Sequence, residues 1–555
     1  MIGWFVVAFL YYPNLAVVGS VLSPAQGMLA ETLTQVFGSA RVLAAIRDTL
    51  IVAVISVVTV NIFGIAQTFL LDAVRLRGRG LLTLAFAVPL VFGSVSAVTG
   101  YNAVYGSNGL LTGVLQRVFH GLPGTWFSGM AAVLVVHTFT MTGYHFLFLR
   151  PALRRIDFSM VEAARSLVRG TGYALFRVVL PLLRPMPLAT TLMVFTGAVG
   201  SFAAPNILGG GGFQMVGPLV LALSKLGRPD MAAVLGLALS AITVGALIWA
   251  LRAERRSARA GSKFAQPFRP IRIRNPFLRA GAHGVASLLA VVNLLPLVAT
   301  VYLSLLPASA IRTLDFGAGL TVANYVQVFS NPAVAQPLLN SLAMIAVAIP
   351  AAGVIGTVLA YLLHRRPGPL TDAIQVSLFL PYFLPAVVLA LGFTIAFGTA
   401  TPLVGGQVLI GGYWILPLAY TVMLLPTAIR FVRASYTGID PALDEAGRSL
   451  GAGSARRFLR LSLPLLLPVL LQVAALGFNQ TFEEYTVSVM LYNVNNQPLG
   501  VTMGSLAASD APGLAGIATS YVVISTVPAV VVVLFADRMA ARSARQLHGR
   551  PETGR

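Results

Sequence analysis

Residues 161–167 read VEAARSL and residues 444–450 read DEAGRSL, so the chain contains one short acidic-then-basic motif twice, 283 positions apart. The same offset pairs Pro13 with Pro296 and the stretch 180–183 with 463–466, both of which read LPLL. An offset held over most of the chain indicates duplication of one structural unit.

Composition is typical of a membrane protein. The 555 residues are 57% hydrophobic and only 10% charged, against roughly 25% charged residues in an average soluble domain. Uncharged stretches such as 49–71, 231–251 and 511–536 can each cross about 30 Å of hydrocarbon as a helix. Because the chain has no cysteine, a disulfide framework and a thiolate metal site are both excluded.

The apolar runs predict an all-α polytopic fold with about twelve transmembrane helices in two sets of six. The predicted spans are 1–22, 47–71, 81–104, 128–149, 186–207, 231–251, 283–305, 337–363, 373–398, 412–432, 467–492 and 513–536. Six is even, so both sets have the same orientation and the repeat is parallel. The predicted domains are a first half, 1–251, a basic cytoplasmic linker, 252–280, a second half, 281–540, and a cytoplasmic tail, 541–555.

The net charge of +21 does not indicate a nucleic-acid partner, because the arginines cluster in short loops between apolar spans. With the N-terminus inside, 32 of the 38 lysines and arginines fall on the inner side. This bias predicts that both termini and both motif copies are cytoplasmic.

Each copy of the motif is predicted to form a short helix, a turn and a second helix that enters the membrane. In the second copy Asp440 is the expected N-cap and Pro441 the first helical residue. Gly451 and Gly453 are expected to end the short helix, and Pro464 to open the next one.

The motif resembles the coupling loop of type I binding-protein-dependent ABC importer permeases, whose transmembrane domains have the MetI-like fold. Matching residues in the second copy are Glu445, Ala446, Gly451, Leu461, Leu463 and Pro464, with Gly447 in place of the second Ala. Matching residues in the first copy are Glu162, Ala163, Ala164, Val178, Leu180 and Pro181. Val168 stands where the family has Gly, and Gly170 is expected to supply the turn instead.

The resemblance implies a permease subunit rather than an enzyme, in a bacterial inner membrane. Each loop would dock on one of two ATPase subunits, and a periplasmic or lipid-anchored binding protein would deliver the solute. The chain would bind no cofactor itself, and ATP-Mg would belong to the ATPase; the absence of a Gly-Lys dipeptide excludes a Walker A loop here.

The fused two-half layout is similar to permeases for iron(III) and thiamine, with single-half relatives for polyamine and phosphonate. Iron(III) is the first expectation for the solute, and the other three remain alternatives. The resemblance implies that a separate binding protein would carry most of the specificity.

Acidic residues in the eleventh predicted span are candidates for the translocation path. Glu483 and Glu484, with Gln480 and the repeat-related Ser201, are placed there because ionisable groups inside membranes usually mark transport routes. The alternatives are the outer headgroup level or a structural role for one carboxylate.

Two further pairs of polar residues are candidates for function. Gln214 and Gln497 are expected to contact the binding protein, with a flexible loop as the alternative. His137 and His145 could ligate a metal, but intramembrane histidines more often form hydrogen bonds within the bundle, so no metal site is predicted.

Two other classes compete with the importer permease. A secondary transporter of the major facilitator type also has twelve spans in two parallel halves, but it does not need paired Glu-Ala loops. A membrane enzyme is disfavoured because no His is followed by Glu, which excludes an H-E-x-x-H zinc site.

Overall fold

The computed structural model describes residues 1–23, 29–107, 109–154, 156, 159, 162, 177, 180–183, 185–257, 270–273, 275–313, 317–365, 368–436, 438–509 and 514–531. Within these residues the secondary structure is helical, apart from two isolated backbone bridges, Val74 with Ile271 and Thr401 with Gln407. The prediction of an all-α fold is therefore confirmed.

In the described part of the chain, nine helices are long and apolar enough to cross a membrane. They are α1 Ile2–Leu22, α2 Ala40–Ala73, α3 Gly129–Arg154, α4 Pro229–Ala250, α5 Pro276–Ser304, α6 Pro332–His364, α7 Ile415–Tyr436, α8 Phe458–Thr481 and α9 Leu514–Val531. These nine coincide with nine of the twelve predicted spans, and the count of twelve itself stays a prediction.

The third and ninth predicted spans are broken helices rather than continuous ones. The third is Arg79–Val91 followed by Ser94–Tyr105, and the ninth is Pro369–Phe383 followed by Ala386–Phe397. Extended residues separate the pieces in both cases. A proline near the break of each helix, Pro89 or Pro381, lacks the N–H that a continuous helix would use.

The two broken helices are copies of one another at an offset of 292 residues, which pairs Pro89 with Pro381 and Gly100 with Gly392. The fifth predicted span, 186–207, is also shorter than expected. It consists of the helix Pro185–Val199 and a separate short helix, Ala203–Leu208.

The chain folds into two compact units that do not coincide with the sequence halves. One contains residues 1–20, 329–502 and 524–531, and the other contains 21–328 and 503–523. Each unit therefore includes the opening helix of the other half. The domain boundaries at 251 and 281 follow the sequence repeat and stay a prediction.

Two equivalent glycines contact α1 and α5, the opening helices that each pack in the unit of the other half; we call these two the exchanged helices. A Cβ on Gly392 would lie 2.7 Å from the carbonyl oxygen of Pro13 in α1. In the other unit, a Cβ on Gly100 would lie 3.3 Å from Cβ of Pro296 in α5. Because Pro13 and Pro296 are repeat counterparts, both opening helices make the same contact with a broken helix.

Candidate functional sites

The second motif loop, residues 440–464, begins with a capped helix. Asp440 has extended backbone, and its Oδ1 accepts a hydrogen bond from the amide of Ala442 at 2.9 Å. The helix Pro441–Ser449 follows, with proline at its first position. The predicted N-cap and first-turn proline are both confirmed.

The same helix ends in a Schellman motif. Gly451 has φ +73°, its amide donates to the carbonyl of Arg448 at 3.0 Å, and the amide of Ala452 donates to the carbonyl of Gly447 at 3.1 Å. This pattern satisfies the last carbonyls of a helix and favours glycine at the left-handed position. The prediction that Gly451 ends the helix is confirmed.

Arg457 explains why Gly447 stands where the motif has alanine. The Arg457 side chain folds back over the helix, with Nε 2.8 Å from Oδ1 of Asp444 and Nη1 2.6 Å from the carbonyl of Ala452. A Cβ on Gly447 would lie 2.9 Å from Cδ of Arg457 and 2.9 Å from Cδ1 of Leu461. Because Gly447 has no side chain, the Arg457 and Leu461 side chains can pack closely against the helix at this position.

The remaining surface of the helix is exposed and partly apolar. Leu443 is 44% and Leu450 86% exposed; Ala446 beside them and Glu445 on another face of the helix are also exposed. Leu443, Ala446 and Leu450 share one face at helical spacing. An exposed apolar stripe is typical of a surface that meets a partner.

Pro464 lies in the first turn of the α-helix Leu463–Thr481, as predicted, but other helical residues come before it. Helical structure already begins at Ser454 and continues through Phe458–Ser462, a π-helical turn, into Leu463–Thr481. The wide turn ends just before Pro464, where the backbone donor is missing.

The first motif loop, residues 155–183, is described at fewer positions. Glu162 is exposed and Pro181 is half-buried; Ala163, Ala164 and Gly170 lie outside the described residues. Its frame is the end of α3 on one side and Leu180–Leu183 on the other.

A buried ion cluster lies where α2 ends beside the first motif loop. The Asp72 side chain is 1% exposed, and its carboxylate pairs with Arg150 at 2.6 Å, with Arg154 at 2.9 Å and with Arg79. Arg150 and Arg154 belong to the last turns of α3, so this carboxylate ties the end of α2 to the entry of the loop.

The second half replaces this ion cluster by aromatic packing. His364, the repeat counterpart of Asp72, stacks on Tyr436 with ring centroids 5.4 Å apart. Tyr361 contacts both Tyr436 and Phe458, with centroids 6.0 and 5.4 Å away. These rings connect the end of α6, the end of α7 and the start of α8.

The predicted acidic pair lies beyond a helix end. Helix α8 ends at Thr481, so the expected span to residue 492 is too long, and Glu483 and Glu484 lie in the turn that follows, each 7% exposed. Glu484 Oε1 accepts from the amide of Val487 at 2.9 Å, and its Oε2 accepts from the amide and hydroxyl of Ser488 at 2.8 and 2.6 Å.

These contacts give the Glu484 carboxylate a structural role, because it satisfies two backbone donors and one hydroxyl inside the unit. Tyr420 joins the group, with its hydroxyl 2.7 Å from that of Ser488. Gln480, at the end of α8, is exposed.

A related polar group lies at the repeat-equivalent position of the first half. Ser201, the counterpart of Glu484, has its hydroxyl 2.9 Å from Nε2 of His137, the counterpart of Tyr420. The next helix packs closely in both copies: a Cβ on Gly500 would lie 2.3 Å from the Glu484 carbonyl, and one on Gly217 would lie 2.9 Å from that of Ser201.

The other intramembrane histidine also has polar neighbours. His145 Nε2 lies 3.1 Å from Oδ1 of Asn61 and 3.4 Å from the hydroxyl of Thr190, and His137 Nδ1 lies 3.2 Å from that of Ser56. In the described chain, no three His, Asp or Glu residues are grouped so that they could hold a metal ion.

A pocket of about 530 Å³ lies near the start of α2, at the end of that helix opposite Asp72. Arg41, Arg47, Asp48 and Gln214 line it, with the glycines of the loop 210–212. Arg47 is paired with Asp48 at 2.8 Å, and Arg41 Nε donates to Oε1 of Gln214 at 2.8 Å.

Gln497 has a different environment from its counterpart Gln214. Its backbone carbonyl accepts from the side-chain amide of Asn340 at 3.0 Å, and Asn340 is the repeat counterpart of Asp48. The basic pocket is thus a feature of the first half.

These features define a multi-pass helical membrane protein with a duplicated loop motif. Residues 352–545 match the family of binding-protein-dependent transport system inner membrane components. A probable ABC transporter permease protein of Sinorhizobium fredii is 40% identical over 97% of this chain and 95% of its own length. The chain belongs to the ABC transporter permeases of this family, which sets aside the secondary-transporter and membrane-enzyme classes.

A more distant relative also matches almost the whole chain. The ferric transport system permease protein of Actinobacillus pleuropneumoniae is 21% identical over 95% of this chain and 76% of its own length. A crystal structure of a bacterial alginate ABC transporter, in complex with a periplasmic protein bound to an alginate pentasaccharide, matches 46% of this chain and 92% of its own chain, with 18% identity and a TM-score of 0.40.

Proposed function

We propose that this chain is the transmembrane subunit of an ATP-driven importer in the bacterial inner membrane, with both termini in the cytoplasm. In this proposal each motif loop docks on one of two separate ATPase subunits, which bind ATP-Mg. The observation that carries it is the exposed, capped helix Pro441–Ser449, which presents Glu445 and an apolar stripe to a partner.

The capping supports a docking role because it holds the helix rigid without any partner. Asp440 satisfies its first turn and the Schellman motif its last carbonyls. A preformed helix loses little conformational entropy on binding, so more of the contact energy stabilises the complex.

The pocket at the opposite end of α2 supports contact with an external binding protein. About 30 helical residues separate Arg41 from Asp72, or roughly 45 Å, which is enough to place the two at opposite membrane surfaces. Gln214, predicted from sequence to meet the binding protein, holds the Arg41 guanidinium in this pocket. Gln497 keeps the same proposed role in the second half.

The proposed solute is iron(III), with thiamine, polyamine and phosphonate as the alternatives. The ferric permease that covers 95% of this chain supports iron. Glu484 is committed to its own turn, so of the acidic pair we assign only Glu483 to the translocation path, with Gln480 and Ser201.

Native mass spectrometry of the complex, purified from its own cells in mild detergent, tests the proposal. We expect two ATPase copies for each permease, and a binding protein whose bound ligand is iron(III). A permease without ATPase, under conditions in which a known importer retains its own, would refute the coupling role. Thiamine, a polyamine or a phosphonate on the binding protein would refute only the solute.

A further inference from the structure

In the described part of the linker between the halves, Ile271 forms backbone hydrogen bonds with the first half. The amide of Ile271 donates to the carbonyl of Ala73 at 2.8 Å, and its carbonyl accepts from the amide of Arg75 at 3.0 Å. Ile271 is 3% exposed, whereas Arg272 is exposed. This alternation is that of a short strand lying on a surface.

The Ile271 side chain enters an apolar cluster that frames the first motif loop. The buried members of this cluster are Ala73, Leu149, Leu153, Ile156, Leu183 and Ile271. Leu149 and Leu153 lie in the last turns of α3, and Leu183 lies where the chain returns from the loop. The linker residue therefore packs in one cluster with residues from both ends of the loop.

The equivalent cluster in the second half is filled by local residues. Its buried members are Ala360, Val432, Tyr436 and Leu466, with Tyr361 and Ile439 packed against them. Tyr436 is the repeat counterpart of Leu153, and its ring is much larger than a leucine side chain. Among the described residues, none from the linker takes part there.

The end of α2 receives a second contact from the same region. His283, in the first turns of α5, has Nε2 3.0 Å from the amide of Arg77. Asp72, also at the end of α2, forms ion pairs with Arg150 and Arg154 of α3. Segment 72–77 thus connects the linker and α5 with the helix that leads into the first motif loop.

We infer that Ile271 is a positioning residue for the first motif loop, so that this linker residue supports one ATPase-coupling site and not the other. This inference rests on the proposed function of the loops. Loss of the Ile271 side chain leaves the cluster underpacked, and the two ends of the loop lose their common contact.

Cysteine capture tests the inference directly, because the natural chain has no cysteine. One cysteine is placed at Glu162 or at Glu445, and cross-linking to the co-purified ATPase is measured with Ile271, with Ile271→Ala and with Ile271→Val. Arg272→Ala is the matched control, since it truncates the exposed neighbour.

We expect Ile271→Ala to lower the cross-linking yield at position 162 by about twofold to thirtyfold and to leave the yield at 445 unchanged. Ile271→Val should restore most of the yield, and Arg272→Ala should have no effect. Equal losses at both positions would reduce Ile271 to a general stabilising residue, and no loss at either would also overturn the inference. No cross-link with Ile271 in place would instead contradict the proposed function.

Hydrogen exchange in the unsubstituted complex keeps the inference testable if Ile271→Ala does not fold. The amides of Ile271 and Arg75 should exchange far more slowly than that of exposed Arg272, because both are donors in the bridge. Fast exchange at both would overturn the inference.

Discussion

The residues that hold the ends of each motif loop, which we call its platform, differ in chemistry between the two halves. The first platform is held by a buried carboxylate among three arginines and by a linker residue, whereas the second is held by stacked rings around Tyr436. Backbone contacts are nevertheless preserved. In both halves a helix is broken near an equivalent proline, and an equivalent glycine contacts an opening helix. Duplication has kept the backbone geometry and allowed the supporting side chains to diverge.

Charge reversal on the loops themselves should have the largest effect. Glu445→Lys and Glu162→Lys are each expected to lower ATP-dependent uptake by about tenfold to a hundredfold, because a misplaced charge at an interface costs several kcal/mol. Uptake by vesicles measures this, with thermal stability unchanged. Glu31→Lys, at an exposed carboxylate in the helix Leu29–Gly38, is the control, and normal uptake by both loop variants would contradict the coupling role.

Removing the buried carboxylate should affect only the first platform. Asp72→Asn leaves three arginines around a neutral side chain and should cost about 3 kcal/mol of unfolding free energy. His364→Asn, at the repeat counterpart, loses only ring stacking and should cost about 1 kcal/mol. Thermal midpoints in detergent compare the two, and equal losses would contradict the difference between platforms.

Glu484→Gln should destabilise the turn after α8 rather than change the solute. The carboxylate accepts three hydrogen bonds, and a carboxamide cannot accept all three, so we expect a loss of about 1 to 3 kcal/mol. Ser201→Ala, at the repeat counterpart, should lose about 1 kcal/mol. A stable Glu484→Gln variant with altered solute preference would move Glu484 to the translocation path.

Alanine substitutions at Gly392 and Gly100, which contact α1 and α5, should lower stability by different amounts. Gly392→Ala meets the Pro13 carbonyl oxygen at 2.7 Å, whereas Gly100→Ala meets its nearest neighbours at 3.2 Å. We expect a loss of about 1 to 3 kcal/mol for the first and a smaller loss for the second. Gly353→Ala in α6, where nothing lies within 4 Å, is the control, and equal stability of all three would refute these contacts.

The smallest effect is expected at the end of the second motif helix. Gly451→Ala places a side chain at φ +73° and should cost about 1 kcal/mol. Gly453→Ala lacks the positive φ and faces open space, so it should be neutral. Hydrogen exchange of the Gly451 and Ala452 amides measures the difference.

Sequence predicted the features that depend on local chemistry. Asp440 and Gly451 end their helix as expected because capping involves only a few neighbouring residues. The helix breaks were readable in principle, since Pro89 and Pro381 recur at one offset, but hydropathy alone predicts a continuous span through both.

The exchange of α1 and α5 was not predictable in this way. These two helices are repeat counterparts of similar apolarity, so packing within a half or across halves satisfies the same hydrophobic pattern. Ile271 was missed because one apolar residue in a basic linker carries no periodic signal. Asp72 carries no sequence signal beyond its place directly after the uncharged stretch 49–71.

The most direct test of the account is a count of ATPase subunits captured by a chain with cysteines at both Glu162 and Glu445. The account predicts that each single-cysteine chain cross-links one ATPase, and that the double-cysteine chain cross-links two in one complex. Capture at only one position, or no more than one ATPase on the double variant, would contradict the claim that both motif loops couple the permease to ATP hydrolysis.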